Sequence, residues 1–327
     1  MRLAAIGLAW LVLVGMSAWA IAALYIDLPA SWSTAAAVSY AALLVCTLFA
    51  CRSPLLRMSV WLASFAVVLI WWLSLSPSNS RQWQMDVDRT AWADISGDIV
   101  TIHNVRNFDY RTEMDYRPRW ETRRYDLSQI QGVDIFITFW GSPWIAHPIV
   151  SFQFSDGQHI AFSVETRKVI GQKYSAILGF FRQYELIYTV ADERDVIRLR
   201  TNYRKDEEVY LYRTTATPEA ARSIFIDYLH SLNRLHQRAQ YYNAITSNCT
   251  TNIRIHTSAA SGKMPPWDWR LLLNGKGDEY AYQHGRLAGA LPFDELKARA
   301  HINDAARAAG QAPDFSARIR AGRAGFR

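Results

Sequence analysis

A thiol, an imidazole and a carboxylate can together build a nucleophilic site, and this chain offers one of each in positions that can meet. Cys249 is one of three cysteines; the other two, Cys46 and Cys51, lie in or beside apolar spans. No disulfide can therefore form within the soluble part, which leaves Cys249 as a lone thiol. Ser247 and Asn248, both good N-cap residues, precede it, and residues 249–260 can be helical as far as Gly262. The sulfur then sits in a first helical turn, where unpaired N–H groups and the helix dipole favour a thiolate. The N–H groups of Cys249 and Thr250, with Asn248 as support, can also hold an oxyanion during acyl transfer.

The base is sought on a hairpin. Residues 147–165 alternate around Ser155-Asp156-Gly157, a three-residue turn with glycine at the position that favours a left-handed backbone. This choice pairs Phe154 with Gln158, Phe152 with Ile160, Val150 with Phe162 and Pro148 with Val164, giving one continuously apolar side. The other side carries His147, Ile149, Ser151, Ala161, Ser163 and Glu165, and puts His147 opposite Glu165. Opposed side chains stand about 5 Å apart at Cβ, close enough for a carboxylate to orient an imidazole. His159 is the rival third member. It lies beside the turn, six residues along the strand from Glu165, or roughly 20 Å away.

Each residue also has a plainer reading: a small buried hydrophobe for Cys249, a structural histidine at a strand start for His147, a surface carboxylate for Glu165. The other histidines make no metal site. His230 and His236 fall on different faces of one helix, His256 lies beyond Cys249, and no HExxH or CxxC pattern occurs. No metal and no cofactor are expected.

The positioning elements begin with a membrane anchor. Residues 1–75 hold only Arg2, Asp27, Arg52 and Arg57 as charges, and contain three apolar runs at 3–25, 34–50 and 58–75. Two further runs directly after the first argue against a cleaved signal peptide. Arg2 and the Arg52/Arg57 loop belong on the cytoplasmic side, so residues 28–33 and everything from Ser76 face the periplasm of a bacterial inner membrane. Residues 76–84 read as a linker and 85–327 as the periplasmic domain. The net charge of +7 suits anionic headgroups and also plain solubility. No nucleic-acid module is present.

Within the domain, strands are expected at 98–103, 133–140, 186–190 and 209–212, with an irregular polar stretch at 104–124. Helices are expected at 174–184, from Thr217-Pro218 to near Gln240, and from Cys249. The stretch from Ala305 reads as a surface helix or frayed tail. The fold class is α+β, with transmembrane helices before a domain in which a helix-start cysteine meets a strand histidine, as in papain-like enzymes. The histidine precedes the cysteine. That is the circularly permuted order seen in some relatives of the NlpC/P60 fold, lecithin:retinol acyltransferase among them.

Five blocks resemble the periplasmic domain of the Lnb family: WIAHPIVSFQF (144–154), FSVETRK (162–168), YELIY (184–188), DERDVI (192–197) and YNAITSNCTT (242–251). The resemblance covers roughly residues 85–320. It implies a permuted papain-like fold and a thiol acyl-enzyme, with Cys249 as nucleophile, His147 as base and Glu165 as the acid of the third position. Lnb itself is a lipoprotein N-acyltransferase, so phospholipid and a lipoprotein N-terminus are the implied partners. The three membrane helices depart from Lnb. Trp140 and Trp144 beside His147 can line an acyl path or serve as plain core. The rival expectations are a cysteine amidase or peptidase acting on cell-wall peptides, and a non-enzymatic envelope scaffold.

Overall fold

A computed structural model describes residues 2–326. The chain divides into two compact units. Residues up to Ser78 form the first together with Tyr174–Tyr184; Asn79–Lys173 and the chain from Glu185 form the second.

In the first unit, α1 (Arg2–Asp27), α2 (Ala30–Ala50) and α3 (Pro54–Ser74) are each long and apolar enough to cross a membrane. Pro29 starts α2, and Ser53 with Pro54 starts α3. Small and aromatic side chains fill the seam: Trp61 meets Trp10 edge-on and donates its indole N–H to Thr47 at 2.7 Å. Most other apolar side chains face outward, as lipid contact requires.

Residues 174–184 belong with these helices. They form turns and a single 3-10 turn, Leu178–Phe180, rather than the expected helix. The reason lies in their anchoring: the Asp27 carboxylate accepts the Arg182 backbone N–H at 3.1 Å and the Gln183 amide at 2.7 Å, and bonds this strong outweigh local helix preference.

The second unit is built on an eight-stranded sheet. Its strands are β1 (Trp92–Ser96), β2 (Ile99–Arg106), β5 (Trp120–Asp126), β6 (Ile130–Trp140), β7 (Ala146–Phe154), β8 (His159–Arg167), β9 (Glu185–Ala191) and β10 (Glu207–Arg213). The order is β1-β2-β9-β8-β7-β6-β10, with β5 also on β2; β3 (Asp109–Tyr110) and β4 (Tyr116–Arg117) make a separate ribbon. The region expected to be irregular thus holds the end of β2, the β3–β4 ribbon and most of β5. Its charges hid the strand, because Glu121 and Arg123 pair with each other and Arg123 with Asp192. Residues 79–84, read as linker, are tied in: Trp83 is buried and bridges to Val169.

The hairpin register is the expected one. Val150 faces Phe162, Phe152 faces Ile160, and the Phe154 N–H donates to the Gln158 carbonyl at 3.0 Å. Gly157 takes the left-handed conformation, φ 84°. On one face α5 (Pro218–Gln237) lies against Phe152 and Phe162, with Phe225 edge-on to both at 4.8 and 5.6 Å. On the other, Ile149, Ala161 and Leu211 pack with Ile197 of α4 (Glu193–Arg198) and with Ile302, Phe315 and Ile319.

The C-terminal stretch is core, not a frayed tail. Arg320 is buried, and its guanidinium pairs with Glu193 and Asp134, so removing any one of the three strands a buried charge.

Candidate active site

Cys249 opens α6 (Cys249–Ser261). The Asn248 side chain caps the helix: its oxygen accepts the Thr251 N–H at 2.9 Å, and Thr251 reciprocates by accepting the Asn248 N–H. Gly262 ends the helix in the left-handed conformation. The cap takes the Thr251 N–H, so those of Cys249 and Thr250 remain directed along the first turn. The helix is pinned deeper down. His256 stacks on Tyr228 at 3.8 Å, its Nδ1 meets Asp227 at 2.6 Å, and its Nε2 meets the Tyr188 hydroxyl, which donates to Asn252. His256 is therefore committed to holding α6.

His147 sits near the start of β7. The ladder between β7 and β8 runs only from Gln153–His159 to Ile149–Ser163. Beyond it β7 stays with β6 as far as Ala146, and β8 with β9 as far as Arg167. His147 and Glu165 stand where the two strands take separate partners. The ring Nε2 lies 2.7 Å from the Ser163 hydroxyl and 3.0 Å from Glu165 Oε1. Ser163 donates onward to the same Glu165 oxygen at 2.7 Å, and Arg200 donates to it at 3.1 Å. Cys249 is near enough to the ring to favour its protonated form.

The electrostatics follow from this crowding. Burial disfavours a charged His147 and Arg200 adds to that, but the charge and hydrogen bond of Glu165 together with Cys249 overcome both, and the ring's pKa is raised to about 9. Burial pushes Glu165 up; His147, Arg200 and the Ser163 hydroxyl together hold it well below the usual carboxylate range. The raised histidine and the lowered carboxylate make the pair an imidazolium and a carboxylate at neutral pH.

His159 is not part of this group. Its Nδ1 meets the Gly157 carbonyl at 3.0 Å beside the turn, and the charges acting on it are Glu193, Arg320 and Asp134. Arg167 and Arg254 are structural: Arg167 donates to the Val87 and Asp88 carbonyls over Trp83, and Arg254 to the Pro265 carbonyl.

Three members escaped sequence reasoning. Ser163 and Arg200 complete the shell of Glu165. Asn274 is the third: its side-chain oxygen accepts the Ala146 N–H at 2.8 Å, which turns its NH2 toward Thr250 Oγ1 at 3.1 Å and Cys249 Sγ at 3.7 Å. The only signal would have been a glycine next to it. Gly275 donates its N–H to the Trp144 carbonyl at 3.0 Å, and a Cβ there would overlap the backbone of Pro143, Trp144 and Ile145. Gly275→Ala is expected to lower stability by about 2 kcal/mol and to slow Cys249 alkylation, because the turn must lift off the start of β7. Thermal unfolding and iodoacetamide kinetics of the full chain check this; an unchanged melting temperature would show the contact to be soft.

No curated protein and no solved structure gave a match. Residues 116–275 do match the family model of the Lnb N-terminal periplasmic domain. That span begins before His147 and ends just after Asn274, so it encloses every residue of the cluster. The chain carries an Lnb-type periplasmic domain.

Proposed function

We propose that the chain is a membrane-anchored thiol acyltransferase whose catalytic domain faces the periplasm, with the anchor in the inner membrane. The observation that carries this reading is the His147 ring held between Cys249 and Glu165. A helix-start cysteine that follows a strand histidine in the chain supports a circularly permuted papain-like arrangement. The family match supports the periplasmic side.

In the proposed cycle His147 holds the proton given up by the thiol, and Cys249 Sγ attacks the ester carbonyl of a phospholipid. The N–H groups of Cys249 and Thr250, with the Asn274 NH2 beside Sγ, hold the oxyanion. The ester C–O bond breaks, the leaving alcohol takes the proton from His147, and a thioester remains. An amine, by resemblance the N-terminus of a lipoprotein, attacks that thioester and returns its proton through His147 to sulfur. Apolar side chains flanking the site favour an acyl substrate: Trp144 and Ile145 precede His147, Leu272 and Leu273 precede Asn274, and Trp267 and Trp269 lie just upstream, all exposed. Among solvent-facing residues such a grouping marks a binding surface.

The test is to incubate the full chain with phospholipid vesicles and a diacylated peptide bearing a free N-terminal cysteine. Amide formation with release of lysophospholipid supports the transferase. Free fatty acid alone would make the enzyme a hydrolase, and inertness toward both would leave a scaffold. Asn274→Ala in the same assay is expected to lower kcat by about a hundredfold with KM little changed, as loss of one oxyanion donor does. An unchanged kcat would remove Asn274 from the reaction.

A further inference from the structure

The chain between β8 and β9, residues 168–184, contains an eleven-residue stretch, Tyr174–Tyr184, that groups with the apolar helices. It is fastened to the Asp27 end of the helix bundle. Asp27, the last residue of α1, accepts the Arg182 N–H and the Gln183 amide, and also the indole N–H of Trp72 at 2.7 Å. The Gln183 amide donates to the Ile26 carbonyl as well, at 2.9 Å, and the Arg182 guanidinium lies over the Trp72 ring at 4.1 Å. This is the end opposite Arg52 and Arg57. Tyr25 and Trp32 are exposed there, at the level where aromatic side chains meet lipid headgroups.

Held in that place, the segment leaves its apolar side chains outward: Ile177 is 68% exposed, Phe180 40% and Tyr174 52%. Facing water, this would be an unfavourable choice of residues. At the headgroup level of a bilayer it is the expected one, and the outward apolar faces of α1–α3 continue it without a break in character.

We infer that residues 174–184 are a second membrane contact, lying in the headgroup layer of the leaflet at the Asp27 end, with Ile177 and Phe180 entering the top of the acyl chains. The occupant is the bilayer lipid itself. The inference is independent of Cys249 chemistry and needs only that α1–α3 span a membrane.

The test uses the full chain in nanodiscs of phosphatidylethanolamine and phosphatidylglycerol, with a benzophenone amino acid replacing Ile177 or Phe180. Leu62, exposed on α3, is the lipid-facing control. Irradiation should give phospholipid adducts by intact mass at 177 and 180 in yields comparable to 62, and Asp27→Ala should abolish those at 177 and 180 while sparing 62. Loss of lipid adducts at both loop positions while 62 labels, or crosslinks to a second protein chain in their place, would overturn the inference.

Discussion

Cys249→Ala is expected to reduce acyl transfer by a thousandfold or more, on the order of what removing an attacking group costs elsewhere, while the domain stays folded. The sulfur is 7% exposed, so its removal leaves only a small gap at the start of a helix whose cap, Asn248, and whose His256 anchor are untouched. The stability loss should stay near 1 kcal/mol. A large activity effect with a small stability effect separates a reacting group from a packing group. Cys249→Ser should behave like alanine in the assay, because the His147 arrangement serves a thiolate and not an alkoxide. Activity within tenfold of wild type in either variant, measured on the full chain in vesicles, would place the chemistry elsewhere.

The second large effect is that of Glu165→Gln. Without the carboxylate, burial and Arg200 act on His147 against Cys249 alone, and its pKa falls from about 9 toward the ordinary 6.5. The sign of the stability effect follows from the two shifts. A histidine raised in the folded state stabilises fully below its unfolded value of 6.5, and this is lost as pH rises through 9. A carboxylate lowered in the folded state stabilises above its unfolded 4.5, and this is lost as pH falls. The wild-type advantage over Glu165→Gln should therefore be greatest between these two unfolded values. It should reach roughly 2 kcal/mol there and shrink on both sides. Arg200 keeps Glu207 at 3.1 Å, so the variant does not strand that charge. Melting temperatures of both proteins across pH 4 to 10 check this; a difference that does not vary with pH would mean that the pair carries no linked proton.

How much of this could be read from the chain depends on how local each signal is. The hairpin was legible because its alternation from His147 to Glu165 and its Asp156-Gly157 turn fix the register with no outside information, and the observed pairs are those expected. The α6 start was legible for the same reason, since Asn248 and Gly262 bracket it. β5 was not, because its charges find partners such as Asp192 that lie far along the chain. Tyr174–Tyr184 looks helical in isolation; its conformation is set by Asp27, on a separate element and far earlier in sequence. Asn274 and Arg200 sit in stretches with no periodicity, and only the folded chain brings them to Cys249 and Glu165. Local patterning thus supplied Cys249, His147 and Glu165, and long-range contacts supplied the groups that hold them.

The most direct test is peptide mapping of the full chain after exposure to phospholipid vesicles without an acceptor amine. The account predicts that the peptide containing Cys249 gains the mass of one fatty acyl group and that mild hydroxylamine removes it, as a thioester requires. That peptide emerging unmodified, while an acyl adduct appears on another residue or transfer proceeds with none at all, would contradict it.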